Sequence, residues 1–453
     1  MRLYRFRSNS NYTLDELEKN YFYFALPEEL NDPMEGFINL YWEGDYVLWR
    51  NLLKHYVYTL ANSIFLSFID RKISKMDLPI FFDESKFPTD KYKSIFEEMR
   101  DNVFEKTEIK DFLSYIKTLN HRITQKELSL YLRIIHYPVL YSVISVYKKH
   151  NLIDWDIKVT IKIDYKNVFK KLSKIMPAVE QNYKNTINTI FDALYSVKNN
   201  IDSLFKFDYK NIKDKDIKNF FLIDFTNFYM ERISELVFSV PCTVCFMENF
   251  NSPSQWSYYA SNHKGICLIF DDGKNNSDKI SFEFKTNWGK INCTTQKVKY
   301  QNEYAKVNFF RMLGTLPISM IEKSWLSDWD GNNTSFVKIG DNYLTEEWRK
   351  EYNMIMSETF STKLPDWEKE AEHRIVLDKN FIAGDPADTR KFSYNFTLLK
   401  GIIFGIKTDD DYKMKVIEII TKKCKEITRT DFKFFQAEYD EEKGCLIKVD
   451  FHL

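Results

Sequence analysis

The sequence predicts an α+β protein with a mixed, largely antiparallel β core and one large helical insertion. Three observations carry that expectation. Short alternating or apolar runs that read as strands lie near both ends of the chain. Residues 44–235 instead carry apolar side chains at three- and four-residue spacing, with Lys and Asn between them, which is the helical period. With only 12 Gly and 11 Pro in 453 residues and 44% hydrophobic residues, the chain can bury a sizeable core and is not loop-rich.

Residues 3–7 alternate and read as a strand, and Thr13 with Glu16 forms a capping box opening a helix over 14–19. Tyr21–Ala25 is an aromatic strand, Glu28–Leu30 one helical turn, and Asn31-Asp32-Pro33 a turn signal. In the insertion, Thr124 and Glu127 cap a helix that Pro138 interrupts, and 211–218 reads as a solvated connector. Strands resume at 240–246 and 266–270. Between them a helix starts at Ser252-Pro253 and stops near Gly265, with Trp256 and Tyr259 on one face. A helix over 345–360, strands at 371–377 and 399–404, a helix over 410–425 and terminal strands complete the chain. The domains are thus 1–43 plus 236–453, and the insertion 44–235.

Lys plus Arg and Asp plus Glu are equal at 65 each, so net charge points to neither a nucleic acid nor a membrane. No secretory signal and no membrane span are expected. Six scattered Cys, with Cys242 and Cys245 as two thiols on an apolar strand, fit a reducing cytoplasm.

The stretch with the clearest chemistry is Trp367–Arg374. Glu370, Glu372 and Arg374 sit two apart, so on a strand they share a face at about 7 Å intervals. Two carboxylates that close repel, and one is expected to hold its proton near neutral pH. An ion ladder on an edge strand is the competing reading. His263, beside Lys264-Gly265, reads as a helix C-terminal cation. A different chemistry also fits the acids: Asp32, Glu35, Glu370 and Glu372 as Mg²⁺ ligands of a nuclease, with Lys363 assisting. A third reading is a non-enzymatic sensor whose helical insertion binds a protein partner.

The runs LYRFR, YFYFALPEELNDPMEG, CFMENFNSPSQWSYYASNHKGICLIFD, WEKEAEHRIVL and LLKGIIFG occur in that order. They resemble the bacterial family catalogued as domain of unknown function 2971, over about 1–43 and 236–453. Ala25 departs from that family, where a Ser is common. The opening unit and Glu370-x-Glu372 also resemble ADP-ribosyltransferases, particularly the toxin type that modifies nucleic acid. That resemblance implies an ADP-ribosyltransferase-like core and NAD as substrate, with no metal. It implies a catalytic set of Glu372, Glu370 and Arg5: Glu372 stabilising the ribose oxocarbenium ion, and Glu370 orienting or deprotonating the acceptor. Arg5 or Arg7 would bind pyrophosphate, Tyr4 or Tyr23 would stack on nicotinamide, and Asn31 and Asp32 would lie in the substrate loop. Trp256, Tyr259, His263 and Arg374 would face substrate, although Trp256 also reads as core and Arg374 equally as a structural partner that keeps both acids ionised. The acceptor, nucleic acid or protein, stays open, and a role in toxin or anti-phage systems is implied.

Overall fold

The computed structural model describes residues 1–70, 78–155, 167–182, 186–208, 217, 219–273, 279–286, 289–338, 343, 345–378 and 387–451. The chain mixes helices with several sheets, as an α+β protein does. It divides into two compact units. The first comprises Met1–Phe37, Ser239–Ala305 and Ile355–Leu453, the second Ile38–Phe238 and Lys306–Met354. Residues 306–354 therefore belong with the helical segment, not with 236–453. The reason is a small sheet in which Lys306–Asn308 pairs with Asn39–Trp42, which pairs in turn with Ile123–Thr124.

The first unit is built on eight strands: β1 (Arg2–Arg7), β2 (Pro241–Met247), β3 (Ile266–Asp271), β4 (Gln296–Lys297), β5 (Glu372–Asp378), β6 (Leu399–Phe404), β7 (Lys433–Asp440) and β8 (Cys445–Asp450). Their order is β8-β7-β6-β3-β1-β2-β5-β4. Every pair is antiparallel except β6 with β7. The two-residue alternation of strand side chains sorts the core. Leu3, Val244, Phe246, Leu268, Phe270 and Ile375 fill one face with Phe22 and Phe24, while Tyr4, Phe6, Met247, Ile269 and Ile403 fill the other with Trp256.

One seam of this sheet is split. β1 pairs with β3 along six positions but with β2 only at Tyr4 and Met247. Farther along β2, Thr243 exchanges two backbone hydrogen bonds with Ala25, at 2.8 and 2.9 Å. The segment after Tyr21–Tyr23 thus takes the edge of β2 that β1 leaves, and the two central strands diverge.

Several local expectations are corrected. The first helix spans Asn11–Lys19 and is capped by Ser10, whose side chain accepts from the Thr13 N–H; Glu16 is buried and serves no capping box. The helix at Pro253 ends at Tyr259. Pro138 does not interrupt its helix, which runs from Gln125 to Lys149 with Leu132, Ile135, Val139 and Val143 buried. Packing on that side outweighs the hydrogen bond the Pro cannot donate. Cys242 and Cys245 are free thiols on β2. The connector expected at 211–218 lies outside the described residues, apart from 217.

The second unit is mainly helical, with Tyr46–Asp70, Asp90–Phe104, Thr107–Ile116, Gln125–Lys149, Val168–Asn182, Ile187–Asp208 and Phe225–Arg232. Among the described residues only Gln125–Lys149 is long and apolar enough to cross a membrane, and 67% of its apolar window is buried within the fold. Near its N-terminus His121 is held between two acids. Nδ1 lies 2.6 Å from Glu180 and Nε2 2.9 Å from Glu127. Both ring nitrogens meet carboxylate oxygens, an arrangement that favours the imidazolium form, in which both are donors. Burial pushes its pKa down, but Glu127 and Glu180 outweigh burial and raise it. A raised folded value means that this stabilisation is complete below the unfolded value of about 6.5 and is lost as pH rises through the folded one. His121→Gln is expected to cost about 2 kcal/mol in urea unfolding at pH 6. The difference from wild type should shrink as pH rises.

Candidate functional site

The split between β1 and β2 opens into a cleft of about 360 Å³, lined by Tyr4–Arg7, Tyr23, Ala25, Glu29–Asn31, Thr243–Cys245, Met247, Tyr258, Tyr259, Lys363, Glu370 and Glu372. A hollow of about 410 Å³ around Ile420, Arg429 and Phe434 is larger. It holds a single acid, Asp450, and no paired carboxylates, so volume alone does not mark the site.

The acids do not reach the cleft as the alternation suggests. β5 begins at Glu372. Glu370 ends a 3-10 helix over Pro365–Glu370, and Ala371 between them is left-handed, with φ 44°. Gln255 holds this turn by donating to the carbonyls of Lys369 and Glu370 at 3.0 and 3.3 Å. Glu370 is therefore off the strand, and its spacing from Glu372 is not a strand pitch.

Lys363 brings them together. Its ammonium lies 2.7 Å from Glu372 Oε2, 2.9 Å from Glu370 Oε2 and 3.6 Å from Glu35 Oε1. A two-residue parallel pairing of Thr362–Lys363 with Lys299–Tyr300 places it. Arg374 closes the back of the cluster. Its Nε and Nη2 donate to the two oxygens of Glu372, and its Nη1 and Nη2 to the two of Glu35, all at 2.9 Å. Arg374 is 1% exposed and is not among the residues lining the cleft; it backs Glu372 from within the fold.

The two acids differ in what they have left to offer. An ionised carboxylate accepts about four hydrogen bonds. Glu372 meets Arg374 on both oxygens and Lys363 on one of them, so about three of its four sites are taken. Glu370 accepts from the Tyr259 hydroxyl on Oε1 and from Lys363 on Oε2, and keeps about half of its capacity. The expectation that one acid holds its proton fails for Glu372. Burial pushes its pKa up, but Arg374 and Lys363 outweigh burial and leave it at about 2. The same field acts on Cys245, where burial and then Glu372 push the thiol up.

Arg5 and Arg7 enter from β1. Both meet Glu16, with Arg7 Nη2 2.5 Å from Oε2 and Arg5 Nε 3.6 Å from Oε1. Their anchor is thus the acid first read as part of a helix capping box. Arg5 is 7% exposed, and its guanidinium lies over the rings of Phe22 and Phe246 at 5.1 and 5.9 Å. Weak hydration lets a guanidinium stack there. Its Nε and Nη1 have no hydrogen-bond partner among the described residues.

The cleft thus gathers Tyr4, Arg5, Arg7, Tyr23, Asn31, Tyr259, Glu370 and Glu372. The Tyr23 hydroxyl donates to Glu29 at 2.7 Å, and its pKa rises to about 12, through burial and then Glu29. Three expected contacts are left out. Asp32 caps its own turn, accepting from the Met34 N–H at 2.9 Å. Trp256 is fully buried against Phe6 and donates its indole N–H to the Phe250 carbonyl. His263 sits in a left-handed turn, φ 70°, its carbonyl accepting from the Lys407 N–H. It follows the end of its helix by four residues, and burial lowers its pKa, so it is no helix-end cation.

The nuclease arrangement also changes. Glu35, Glu370 and Glu372 do converge, but on the Lys363 ammonium, and Asp32 is turned to its cap. Among the described residues no group of three or more His, Cys, Asp or Glu is arranged to hold a metal.

Sequence reasoning missed Glu16 and Tyr300 as site-forming residues. Tyr300 accepts the Glu372 N–H at 2.8 Å. Lys363 entered only as a nuclease helper, because its two-residue strand has no period and its partner lies some sixty positions away. No family model, curated protein or solved structure matches this chain.

Proposed function

We propose that the protein is an NAD-consuming, ADP-ribosyltransferase-like effector of the bacterial toxin or anti-phage kind, acting in the cytoplasm on a nucleic acid or protein acceptor, or on water. One observation carries this reading. A buried guanidinium, Arg5, and an acid with unspent acceptor capacity, Glu370, line the same cleft, with Tyr4, Tyr23 and Tyr259 along it.

The chemistry follows from those groups. Arg5 and Arg7 together supply the positive charge that holds the pyrophosphate. A tyrosine ring stacks on the nicotinamide. The nicotinamide–ribose bond breaks with its electron pair leaving on the ring nitrogen, and positive charge grows at the ribose carbon. The cluster of three acids and two cations keeps a net negative charge there, preorganised and largely out of water, which is the most effective form of transition-state stabilisation. Glu370 accepts the hydrogen bond from the ribose or takes the acceptor's proton. Glu372, with most of its lone pairs engaged, contributes its charge and its hold on Arg374 and Lys363.

Incubating the purified protein with NAD, with and without RNA, DNA or a cell lysate, and following nicotinamide release tests the reading. Release that depends on Glu370 supports it; no release with any acceptor sinks it. Arg5→Ala is expected to raise KM for NAD about 10-fold or more with kcat little changed. A pyrophosphate contact is present in ground and transition states alike, and one charge-assisted hydrogen bond is worth about 1.5–3 kcal/mol. An unchanged KM with a much lower melting temperature would make Arg5 a structural partner of Glu16 alone.

A further inference from the structure

We propose that Lys363 is the positioning residue of this site: its single ammonium, in place of strand geometry, sets where the carboxylates of Glu370 and Glu372 sit relative to each other and to Glu35. The inference rests on the reading above for what is being positioned, but its geometric content stands without it.

Three observations lead there. First, the covalent path does not fix the spacing, because Ala371 is left-handed and Glu370 belongs to a 3-10 turn, not to β5. Second, one nitrogen is shared. Glu370 Oε2 and Glu372 Oε2 both lie within 3 Å of Lys363 Nζ, and Glu35 Oε1 lies at 3.6 Å. An ammonium is a compact point charge with three donors, so it can serve three carboxylates around one point, where a planar guanidinium could not. Third, Lys363 is itself held. It is 5% exposed, anchored by the pairing of Thr362–Lys363 with Lys299–Tyr300, and its ammonium lies 5.2 Å from the centre of the Trp367 ring.

The charge balance explains why a cation is needed at that point. Glu35, Glu370 and Glu372 meet there, and Arg374 engages only Glu35 and Glu372. Glu370 has Lys363 as its ion-pair partner, plus the neutral Tyr259 hydroxyl. Other titratable groups around the acids are the Cys245 thiol and the Tyr300 and Tyr304 phenols, all with pKa values raised, chiefly by burial. Without Lys363, two nearby carboxylates face each other with one guanidinium behind only one of them. Repulsion would turn Glu370 out toward the cleft mouth.

The test is a carboxyl titration in Lys363→Met by ¹³C NMR on glutamate-labelled protein. The Glu372 signal is identified by its loss in Glu372→Gln. An opposite charge this close depresses a carboxylate by about one to three pH units, so the Glu372 titration should move up by about one unit or more from its value near 2. Lys363→Arg, which keeps the charge, should move it much less. If Lys363→Met does not fold, Lys363→Gln is titrated in its place. An unchanged Glu372 titration in a folded, neutral variant overturns the proposal. In the activity arm, Lys363→Met should lower kcat for nicotinamide release about 100-fold, the scale of a misplaced catalytic group, with little change in KM for NAD. A wild-type kcat in that variant also overturns it. If the wild-type protein releases no nicotinamide, the NAD reading fails while the titration still decides the role of Lys363.

Discussion

Replacing Arg374 with Met should lower the unfolding free energy by about 3–5 kcal/mol, the scale for removing one partner of a buried ion pair. Arg374 is 1% exposed and engages both oxygens of Glu35 and both of Glu372. Its loss leaves three acids sharing the Lys363 ammonium, in a place water barely reaches. Chemical denaturation at pH 7 measures the effect. Combining Arg374→Met with Glu35→Gln and Glu372→Gln should recover much of the loss, because the uncompensated charges leave with the arginine. No recovery would mean that lost packing of the large side chain, and not charge, dominates. The acid limb follows from the same group. Glu372 has its carboxyl depressed to about 2, against about 4.3 in an unfolded chain. Its contribution is therefore complete above the unfolded value and lost as pH falls through the folded one. Wild-type stability should fall with acidification over that window, and Arg374→Met should weaken this part of the slope, with Lys363 still beside Glu372.

Glu370→Gln should reduce nicotinamide release by at least about 100-fold while the protein stays folded, the usual scale for one electrostatic group in an active site. The glutamine still accepts from Tyr259 and keeps the size of the side chain, but it removes the charge and the base. Glu372→Gln should behave differently. It also unbalances Arg374 and Lys363, so activity and melting temperature should fall together. The contrast between the two variants is the informative measurement. If Glu370→Gln retains the wild-type rate and Glu372→Gln loses activity without loss of stability, the roles of the two acids are exchanged.

Much of the framework was legible in the residues. The strands near 3–7, 240–246, 266–270, 371–377 and 399–404 could be read because alternation and apolar runs report burial directly, and they lie in the eight-stranded sheet, whereas the strand expected at 21–25 spans only Tyr21–Tyr23 and pairs with Lys391–Ser393 outside it. The helical character of 44–235 could be read for the same reason: a 3.6-residue period is a local property. The reach of local signals ended at Pro138, where tertiary packing kept the helix whole, and at residues 306–354, whose assignment depends on a strand pairing with Asn39–Trp42.

The site divides along the same line. The spacing of Glu370, Glu372 and Arg374, and the resemblance of the opening unit to ADP-ribosyltransferases, marked these residues with Arg5, Arg7, Tyr4, Tyr23, Asn31, Asp32, Trp256, Tyr259 and His263 as candidates before any fold was known. Only the tertiary structure decided how they are used. It gave Arg5 and Arg7 to Glu16, placed Arg374 behind Glu372, retired Asp32 to a cap and Trp256 to the core, and put Lys363 at the meeting point of three acids. The physical reason is that an ion pair depends on distance in space, whereas the sequence records distance along the chain. Arg374 and Glu35, 339 positions apart, meet at 2.9 Å.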